Sequence, residues 1–265
     1  MRLDFHTLDV FTDTRFGGNP LAVVHGADGL SDAAMQAIAR EFNLSETVFI
    51  CKSEKPAHTA KLRIFTPGME LPFAGHPTVG TASLLAALRA PEASSEHDAL
   101  IVLELKIGTV RVGVSQRPDR PSFAEFDLPK LPERGVSLPS NDRLASALGL
   151  IPSEIGFENH KPISYSAGVS FAFVPLATRE AIARASVQPQ HWGQVFGGPV
   201  PPGAFVYTRE TVHNTSAFHA RMFWPSAGVM EDPATGSAVA AFAGVVNQFD
   251  TPPDGLHKKI IEQGH

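Results

Sequence analysis

Arg63-Ile64-Phe65-Thr66-Pro67, which continues to Pro72-Phe73-Ala74-Gly75-His76-Pro77, is the stretch that decides the fold, because it occurs twice in similar form. The second copy reads Arg221-Met222-Phe223-Trp224-Pro225 and continues to Asp232-Pro233-Ala234-Thr235-Gly236-Ser237. Each copy predicts a strand, a loop and a glycine at the start of a helix. A unit repeated once at this distance favours two similar halves over a solenoid, which needs several short repeats.

The two glycines precede apolar stretches that predict helices, over Thr81–Leu88 and Ala238–Val246. Gly75 and Gly236 let the backbone approach a ligand closely. Unpaired N–H groups and a positive dipole end make a helix start a ready anion site. We therefore predict that one small anion is bound between the two helix starts. The alternative, that the glycine motifs only cap two core helices, stays open at this point.

Composition limits the classes of partner. The chain has 265 residues, 43% of them hydrophobic, and a net charge of −5 without a basic cluster, which argues against nucleic-acid and anionic-membrane partners. Cys51 is the one cysteine, so an internal disulfide is excluded. The N-terminal residues lack the apolar region of a signal peptide, and no apolar run reaches the length of a membrane span. These features predict a soluble cytoplasmic protein.

Strands outnumber helices in the sequence pattern, and they do not alternate strictly with them. This predicts an α+β fold of two pseudo-equivalent halves, each a barrel-like sheet around one apolar helix. We place the halves at residues 1–115 and 116–265, with the proline-rich stretch Arg117–Pro139 as the crossover. Val187–Pro202 is predicted to be a loop, because it is polar and rich in glycine and proline.

Glu46 and His76 are the first candidate site residues. Glu46 lies between Ser45 and an apolar strand, and burial of a carboxyl raises its pKa toward the range that suits an acid/base catalyst. The alternative role is a capping or edge-strand glutamate. His76 has an ordinary pKa of about 6.5, so either charge state is open to it. Its alternative role is a structural hydrogen bond at a helix start.

Further candidates lie at the turns. Asp232 is predicted to accept a hydrogen bond from a substrate amine or hydroxyl, or else to be a carboxylate favoured by a helix dipole. Gly75, Gly236 and Ser237 are predicted to bind a substrate carboxylate. Asn19 is either a polar wall residue or a turn former. The remaining histidines show no metal-ligand spacing, so no metal is predicted.

Several motifs together resemble the phenazine-biosynthesis-like (PhzF) isomerase family. They are Asp9-Val10-Phe11, Gly18-Asn19-Pro20-Leu21-Ala22-Val23, Asn43-Leu44-Ser45-Glu46-Thr47, Phe73-Ala74-Gly75-His76-Pro77-Thr78 and Glu231-Asp232-Pro233-Ala234-Thr235-Gly236-Ser237-Ala238. The resemblance covers nearly the whole chain in the expected order. It implies the diaminopimelate-epimerase fold, with two β-barrel halves around central helices and the active site in the cleft.

The resemblance also implies the activity: a cofactor-independent, homodimeric enzyme that moves a proton on a small carboxylate substrate, with Glu46 as the catalytic residue. The type member isomerises a dihydro-hydroxyanthranilate. Epimerases of this fold place a cysteine in each half, whereas His76 and Ser237 follow the two glycines here, so a two-thiol racemase is excluded. Relatives continue beyond a Gln-Gly like Gln263-Gly264, so the second half is expected to lack its C-terminal strands. The competing hypothesis is a non-catalytic small-anion binding protein of the same fold.

Overall fold

The computed structural model describes residues 2–90, 95–198 and 202–264, which divide into two compact units. The first unit is Met1–Lys130 together with Ala227–Val229, and the second unit is Leu131–Ser226 together with Met230–His265. The boundary lies after Lys130 and not at residue 115, because a strand at Arg120–Phe126 pairs within the sheet of the first unit. Among the described residues, no helix has both the length and the apolar character needed to cross a membrane.

In the described residues, the first unit is built on an eight-stranded sheet with two α-helices. In chain order, its elements are β1 (Phe5–Val10), β2 (Asn19–Val24), α1 (Asp32–Phe42), β3 (Glu46–Cys51), β4 (Ala60–Phe65), β5 (Glu70–Leu71), α2 (Gly75–Arg89), β6 (His97–Leu105), β7 (Gly108–Arg117) and β8 (Arg120–Phe126). The sheet order is β1-β2-β3-β4-β6-β7-β8, with β5 paired to β4. The pairs β2–β3 and β4–β6 are parallel, and the other pairs are antiparallel.

Helix α1 makes the crossover between the parallel strands β2 and β3, and its ends are defined by polar residues. At the N-terminus, Ser31 accepts a hydrogen bond from a backbone N–H of the first turn. At the C-terminus, Asn43 adopts a left-handed conformation with φ 52°, which ends the helix just before β3. The apolar face of α1 buries Met35 and Ala39 against Phe49 of β3, so the helix is fixed to the outer face of the sheet.

The second unit is built on a seven-stranded sheet with four α-helices in its described residues. Its elements are β9 (Glu133–Arg134), α3 (Asn141–Leu148), β10 (Ile163–Ser166), β11 (Ser170–Pro175), α4 (Arg179–Arg184), α5 (Pro189–Phe196), β12 (Gly203–Thr208), β13 (Phe218–Trp224), β14 (Val229–Asp232), α6 (Gly236–Asp250) and β15 (Ile261–Gln263). The sheet order is β14-β13-β12-β11-β10-β9, with β15 paired to β13. The pairs β11–β12 and β13–β15 are parallel.

The two units share one order of elements. An antiparallel hairpin, β1–β2 or β10–β11, is followed by a helical crossover to a parallel strand, β3 or β12. Next come an antiparallel strand, β4 or β13, a short strand, β5 or β14, and a 15-residue helix, α2 or α6. A strand parallel to β4 or β13 then follows, β6 or β15. The prediction of an α+β fold with two similar halves is confirmed.

Both central helices are largely buried and begin at the glycine of the repeated motif, α2 six residues and α6 two residues earlier than predicted. Helix α2 packs against β1 and β2 as well as β7 and β8, so the sheet of the first unit curls around it. A Cβ on Gly80 would lie 2.7 Å from Val10 Cγ2 and 2.8 Å from Leu21 Cδ2, so glycine permits this close approach. In the second unit, the Phe242 ring of α6 contacts the rings of Phe173, Phe205, Tyr207 and Phe218.

The arginines of the repeated motif make matching ion pairs. Arg63 binds Glu70 through two hydrogen bonds of 2.8 and 2.7 Å and also contacts Asp32 at the start of α1. Arg221 binds Glu231 through two hydrogen bonds of 2.7 and 2.8 Å. Its remaining nitrogen, Nη1, donates to carbonyl oxygens at the end of α4, those of Ile182, Ala183 and Ala185. Each arginine therefore ties its strand to the crossover helix of its own unit.

One local prediction was wrong: Val187–Pro202 contains helix α5. Its proline stands at the start of the helix, where a missing N–H costs nothing. Trp192 and Phe196 lie one turn apart, with ring centroids 4.4 Å apart, and pack into the apolar cluster that includes α3. Burial of this aromatic pair stabilises the helix more than the glycines destabilise it. Residues 199–201 of the stretch lie outside the described residues.

Candidate active site

Glu46 is the first residue of β3 and is only 7% exposed. In the parallel register of β2 and β3 it lies opposite Leu21. Alternation along the strand places Glu46 on the same face as Val48, and on the opposite face from Phe49, which packs against α1. The carboxyl group is therefore directed to the other side of the sheet from α1, the side on which the central helix α2 lies.

His76 is the second residue of α2, and its side chain is 2% exposed. Nδ1 of the imidazole lies 3.5 Å from Oε2 of Glu46, at the outer limit of a hydrogen bond. Nε2 is buried and has no hydrogen-bond partner among the described residues. Glu46 and His76, which the sequence analysis selected separately, thus form one buried polar pair at the start of α2.

Burial decides the charge state of this imidazole. Desolvation lowers the pKa of His76 to about 3, because the charged form would lose its hydration inside the protein. The imidazole is consequently neutral at neutral pH. Of the two charge states that the sequence left open, the structure favours the one in which one ring nitrogen donates a hydrogen bond and the other accepts one.

Two other predicted site residues of the first unit are buried, and each is the first residue of its helix or strand. Gly75 is the first residue of α2, and Ala74 before it makes no side-chain cap, so the backbone N–H groups of the first turn are not occupied by a capping side chain. Asn19 is the first residue of β2 and is fully buried. The preceding residue, Gly18, has the positive φ of 62° that the turn requires. Asn19 therefore belongs to the strand and not to the turn.

The second unit has a polar group of its own around Asp232, the last residue of β14. Thr235 donates its hydroxyl hydrogen to Oδ2 of Asp232, and its backbone N–H donates to Gln263 Oε1 at 3.0 Å. Gln263 Nε2 donates to the carbonyl of Asp232 at 2.7 Å and to the hydroxyl of Thr235 at 2.9 Å. Gly236 and Ser237 begin α6 directly after this network, and Ser237 is buried.

Thr235 and Gln263 are site residues that the sequence analysis did not select. Thr235 lies inside the motif that ends in Gly236-Ser237, so its position next to Asp232 was a usable signal. Gln263 is brought to the group by β15, a strand of three residues that pairs in parallel with β13 and sets Gln263 opposite Ala220. Such a pairing leaves little trace in the sequence.

The structure brings together Glu46 and His76 in the first unit, and Asp232, Thr235 and Gln263 in the second. The prediction that one anion contacts both helix starts stays a prediction. Among the described residues, no three histidine, cysteine, aspartate or glutamate side chains are grouped so that they could hold a metal ion.

Known proteins resemble this chain over most of its length. The sequence profile of the family described as phenazine biosynthesis-like protein matches residues 8–265. An uncharacterized isomerase of Mesorhizobium japonicum is 50% identical over 264 residues, which cover 97% of this chain and 84% of the relative. The trans-2,3-dihydro-3-hydroxyanthranilate isomerase of Pseudomonas aeruginosa is 34% identical over 255 residues, which cover 96% of this chain and 84% of that protein.

A solved structure agrees with the sequence comparisons. The crystal structure of a phenazine biosynthesis protein of the PhzF family from Bacillus anthracis aligns with a TM-score of 0.84 and 26% identity, covering 100% of this chain and 87% of that one. The names of the relatives confirm the prediction of an isomerase. With a family match that extends from residue 8 to residue 265, the chain belongs to the phenazine biosynthesis-like (PhzF) family.

Proposed function

We propose that this protein is a cofactor-independent isomerase in which Glu46 moves a proton between two carbons of a small carboxylate substrate. The observation that carries the proposal is the buried pair of Glu46 and neutral His76, 3.5 Å apart at the start of α2, with Nε2 of His76 lacking a partner among the described residues. Buried polar atoms without a partner are uncommon in folded proteins. A substrate group that donates a hydrogen bond would satisfy this nitrogen.

The reaction needs one carboxyl group. The Glu46 carboxylate takes a proton from a substrate carbon. The electrons of the broken C–H bond form a double bond to the neighbouring carbon, and the electrons of the double bond already present there move to the far carbon. The carboxylic acid formed on Glu46, whose proton exchanges with solvent in part of the turnovers, then delivers a proton to that far carbon. Proton and electrons balance without an oxidant, a reductant or a second acid. A positioned acid/base of this kind contributes about 10²–10⁴-fold in rate.

His76 orients this chemistry. With its proton on Nδ1, the neutral imidazole donates toward Glu46 and offers Nε2 as an acceptor to a hydroxyl or amine of the substrate. At 3.5 Å this contact is weaker than a short hydrogen bond, so it orients the imidazole toward the carboxyl group without a tight bond between the two.

The second unit supplies binding in this proposal. Asp232, fixed by Thr235 and Gln263, accepts a hydrogen bond from a substrate amine or hydroxyl. Gly236 and Ser237 at the start of α6, with Gly75 at the start of α2, bind the carboxylate through backbone N–H groups and the serine hydroxyl. Asn19 supplies a polar wall to the Glu46 site.

The test is proton exchange in heavy water. Small amino, hydroxy and cyclic carboxylates are incubated with the protein, beginning with trans-2,3-dihydro-3-hydroxyanthranilate because a 34%-identical relative bears the name of its isomerase. Mass spectrometry and NMR then measure deuterium on carbon. A turned-over compound that gains carbon-bound deuterium supports the proposal. Glu46→Gln should lower turnover by at least about 10²–10⁴-fold, and undiminished turnover in this variant would overturn the proposal whether or not deuterium is gained.

The alternative function is a non-catalytic small-anion binding protein of the same fold. It predicts that carboxylates bind, that none is converted, and that Glu46→Gln leaves binding unchanged. The same panel separates the two functions, because only the isomerase changes the substrate. Cytoplasmic location, a homodimeric assembly and the absence of nucleic-acid and membrane partners stay predictions.

A further inference from the structure

The loop between β1 and β2, residues 11–18, contains two aromatic residues in an uncommon backbone conformation. Phe11 has φ 63° and Phe16 has φ 64°, in the left-handed region that bulky side chains rarely adopt. Gly18 in the same loop has φ 62°. Uncommon backbone conformations of this kind cluster at functional sites, where the surrounding structure maintains them.

Local hydrogen bonds maintain this loop. The backbone N–H of Phe16 donates to Oδ2 of Asp9 at 2.8 Å. Thr14 N donates to Thr12 Oγ1 at 3.0 Å, and Gly17 N donates to Thr14 O at 3.1 Å. These bonds order the loop that follows Phe11, and Phe11 itself is 50% exposed.

The exposed ring of Phe11 lies beside the candidate active site. Its centroid is 6.5 Å from that of the His76 imidazole, and the planes meet at 65°, an edge-to-face contact. His76 itself is buried and neutral. Phe11 thus contacts the buried imidazole and leaves about half of its surface exposed, where a ligand that reaches His76 could contact it.

We propose that Phe11 is a specificity-determining residue that contacts the substrate and selects carboxylates with a flat, unsaturated carbon segment. This inference rests on the proposed function of Glu46 and His76. A flat segment covers the open surface of Phe11 and gains an aromatic contact, whereas a charged or strongly polar segment loses hydration there. The same unsaturation delocalises the electrons that Glu46 leaves behind when it removes a proton.

Phe16 offers a matched control. It lies in the same loop, has the same left-handed conformation and is 96% exposed. Among the described residues, its ring has no aromatic contact with His76 or another ring, in contrast to Phe11. Phe16→Ala removes the same ring at the same kind of backbone conformation, away from Glu46 and His76.

The experiment measures binding by calorimetry, with benzoate as the flat probe and acetate as the probe without a carbon segment. We expect the unchanged protein to bind benzoate more tightly than acetate. Phe11→Ala should weaken benzoate binding about tenfold and leave acetate unchanged, Phe11→Leu should have a smaller effect, and Phe16→Ala should change neither. Circular dichroism verifies that each variant is folded, and Phe11→Leu decides the result if Phe11→Ala is not.

The inference is overturned if the unchanged protein does not prefer benzoate, if the Phe11 variants weaken both probes equally, or if Phe16→Ala has the same effect as Phe11→Ala. These outcomes are distinct from failure of the proposed function, since binding of the probes requires no proton transfer. If Glu46→Gln proved fully active while Phe11→Ala lost only benzoate binding, the assignment of Glu46 would fail and that of Phe11 as a ligand contact would remain.

Discussion

At the start of α2, the Glu46 carboxyl has an imidazole 3.5 Å away whose far nitrogen lacks a partner among the described residues. At the start of α6, Asp232 belongs to a network in which Thr235 and Gln263 are joined to it and to each other by hydrogen bonds. The two units share one order of elements, yet at the start of α2 a buried nitrogen of His76 has no partner among the described residues, whereas at the start of α6 Asp232 is held by Thr235 and Gln263. This difference assigns proton transfer to the first unit and binding to the second in our proposal.

The largest effect expected is that of Glu46→Gln, which keeps the size of the side chain and removes the titrating group. Turnover should fall by at least about 10²–10⁴-fold, since the acid/base is lost. Affinity for a non-reacting substrate analogue should change little. Steady-state kinetics and analogue titration measure the two quantities. Glu41→Gln, an exposed glutamate on α1, is the matched control and should have full activity. Undiminished turnover in Glu46→Gln would sink the mechanism.

The second unit should respond in the opposite way. Asp232→Asn removes a charged hydrogen-bond acceptor, and a hydrogen bond to a charged group contributes about 1.5–3 kcal/mol. We therefore expect Kd for the analogue to rise roughly 10- to 150-fold, with a smaller fall in kcat. Asp142→Asn, at an exposed position on α3, is the control. A fall in kcat at unchanged affinity would reverse the roles that we give to the two units.

Gln263→Ala sharpens the comparison further, because it removes three hydrogen bonds from the Asp232 network, two donated by Nε2 and one accepted by Oε1, without removing a charge. Each lost hydrogen bond costs about 0.5–1.5 kcal/mol. We expect an increase in Kd of about tenfold, in the same direction as for Asp232→Asn. The measurement is again analogue titration. Unchanged affinity would mean that the network has no part in positioning Asp232 for a ligand.

The repeated arginines give a comparison in stability. Arg221→Met leaves Glu231 and the carbonyls at the end of α4 without the donor that they share. We expect it to lower the free energy of unfolding by about 2–4 kcal/mol. Arg63→Met should cost less, about 1–2 kcal/mol, because Lys106 also binds Glu70 and remains in place. Thermal unfolding followed by circular dichroism measures both. Equal losses would show that Lys106 does not compensate.

The last comparison concerns stability in acid. His76 has its pKa lowered to about 3 in the folded protein, against 6.5 when unfolded. As the pH falls below 6.5, the unfolded chain binds a proton that the folded chain does not, so stability falls by up to about 1.4 kcal/mol per pH unit until the pH approaches 3. The variant His76→Gln removes this dependence. A stability difference between the two proteins that stays constant from pH 7.5 to 5 would contradict the assignment.

Glu262 in the second unit supplies the control for that experiment. Desolvation raises the pKa of Glu262, but hydrogen bonds from Val212 N, His213 N, His219 and Ser216 together lower it from 4.5 to about 2. The Glu262 carboxylate contributes fully to the stability of the folded protein above pH 4.5, and this contribution is lost as the pH falls toward 2. Glu262→Gln should therefore change the dependence of stability on pH only below about pH 4.5. The effect of His76 begins already below pH 6.5, so the two residues can be distinguished between these values.

Much of the fold could be predicted from short-range patterns. The Ser31 cap and the spacing of Met35 and Ala39 predict α1, and the repeated glycine motifs predict α2 and α6. Local sequence patterns did not predict α5, because this helix depends on the packing of Trp192 and Phe196 against another helix.

The site was predictable to a similar degree. Glu46, His76 and Asp232 lie in recognisable motifs. Phe11 also lies in a recognisable motif, yet the roles of Gln263 and Phe11 could not be predicted. That of Gln263 depends on the pairing of a three-residue strand, and that of Phe11 depends on a backbone dihedral angle that a sequence does not display.

The left-handed residue Asn43 has a consequence for how this chain can change in evolution. It ends α1 three residues before Glu46, so the turn between the helix and β3 is short and has little room to absorb a change in length. Because side chains alternate along a strand, a change in length there that slid β3 by one residue against β2 would move the carboxyl group to the opposite face. Substitutions at positions 43–45 should therefore be tolerated far more often than insertions or deletions, and natural length variation should be confined to loops elsewhere.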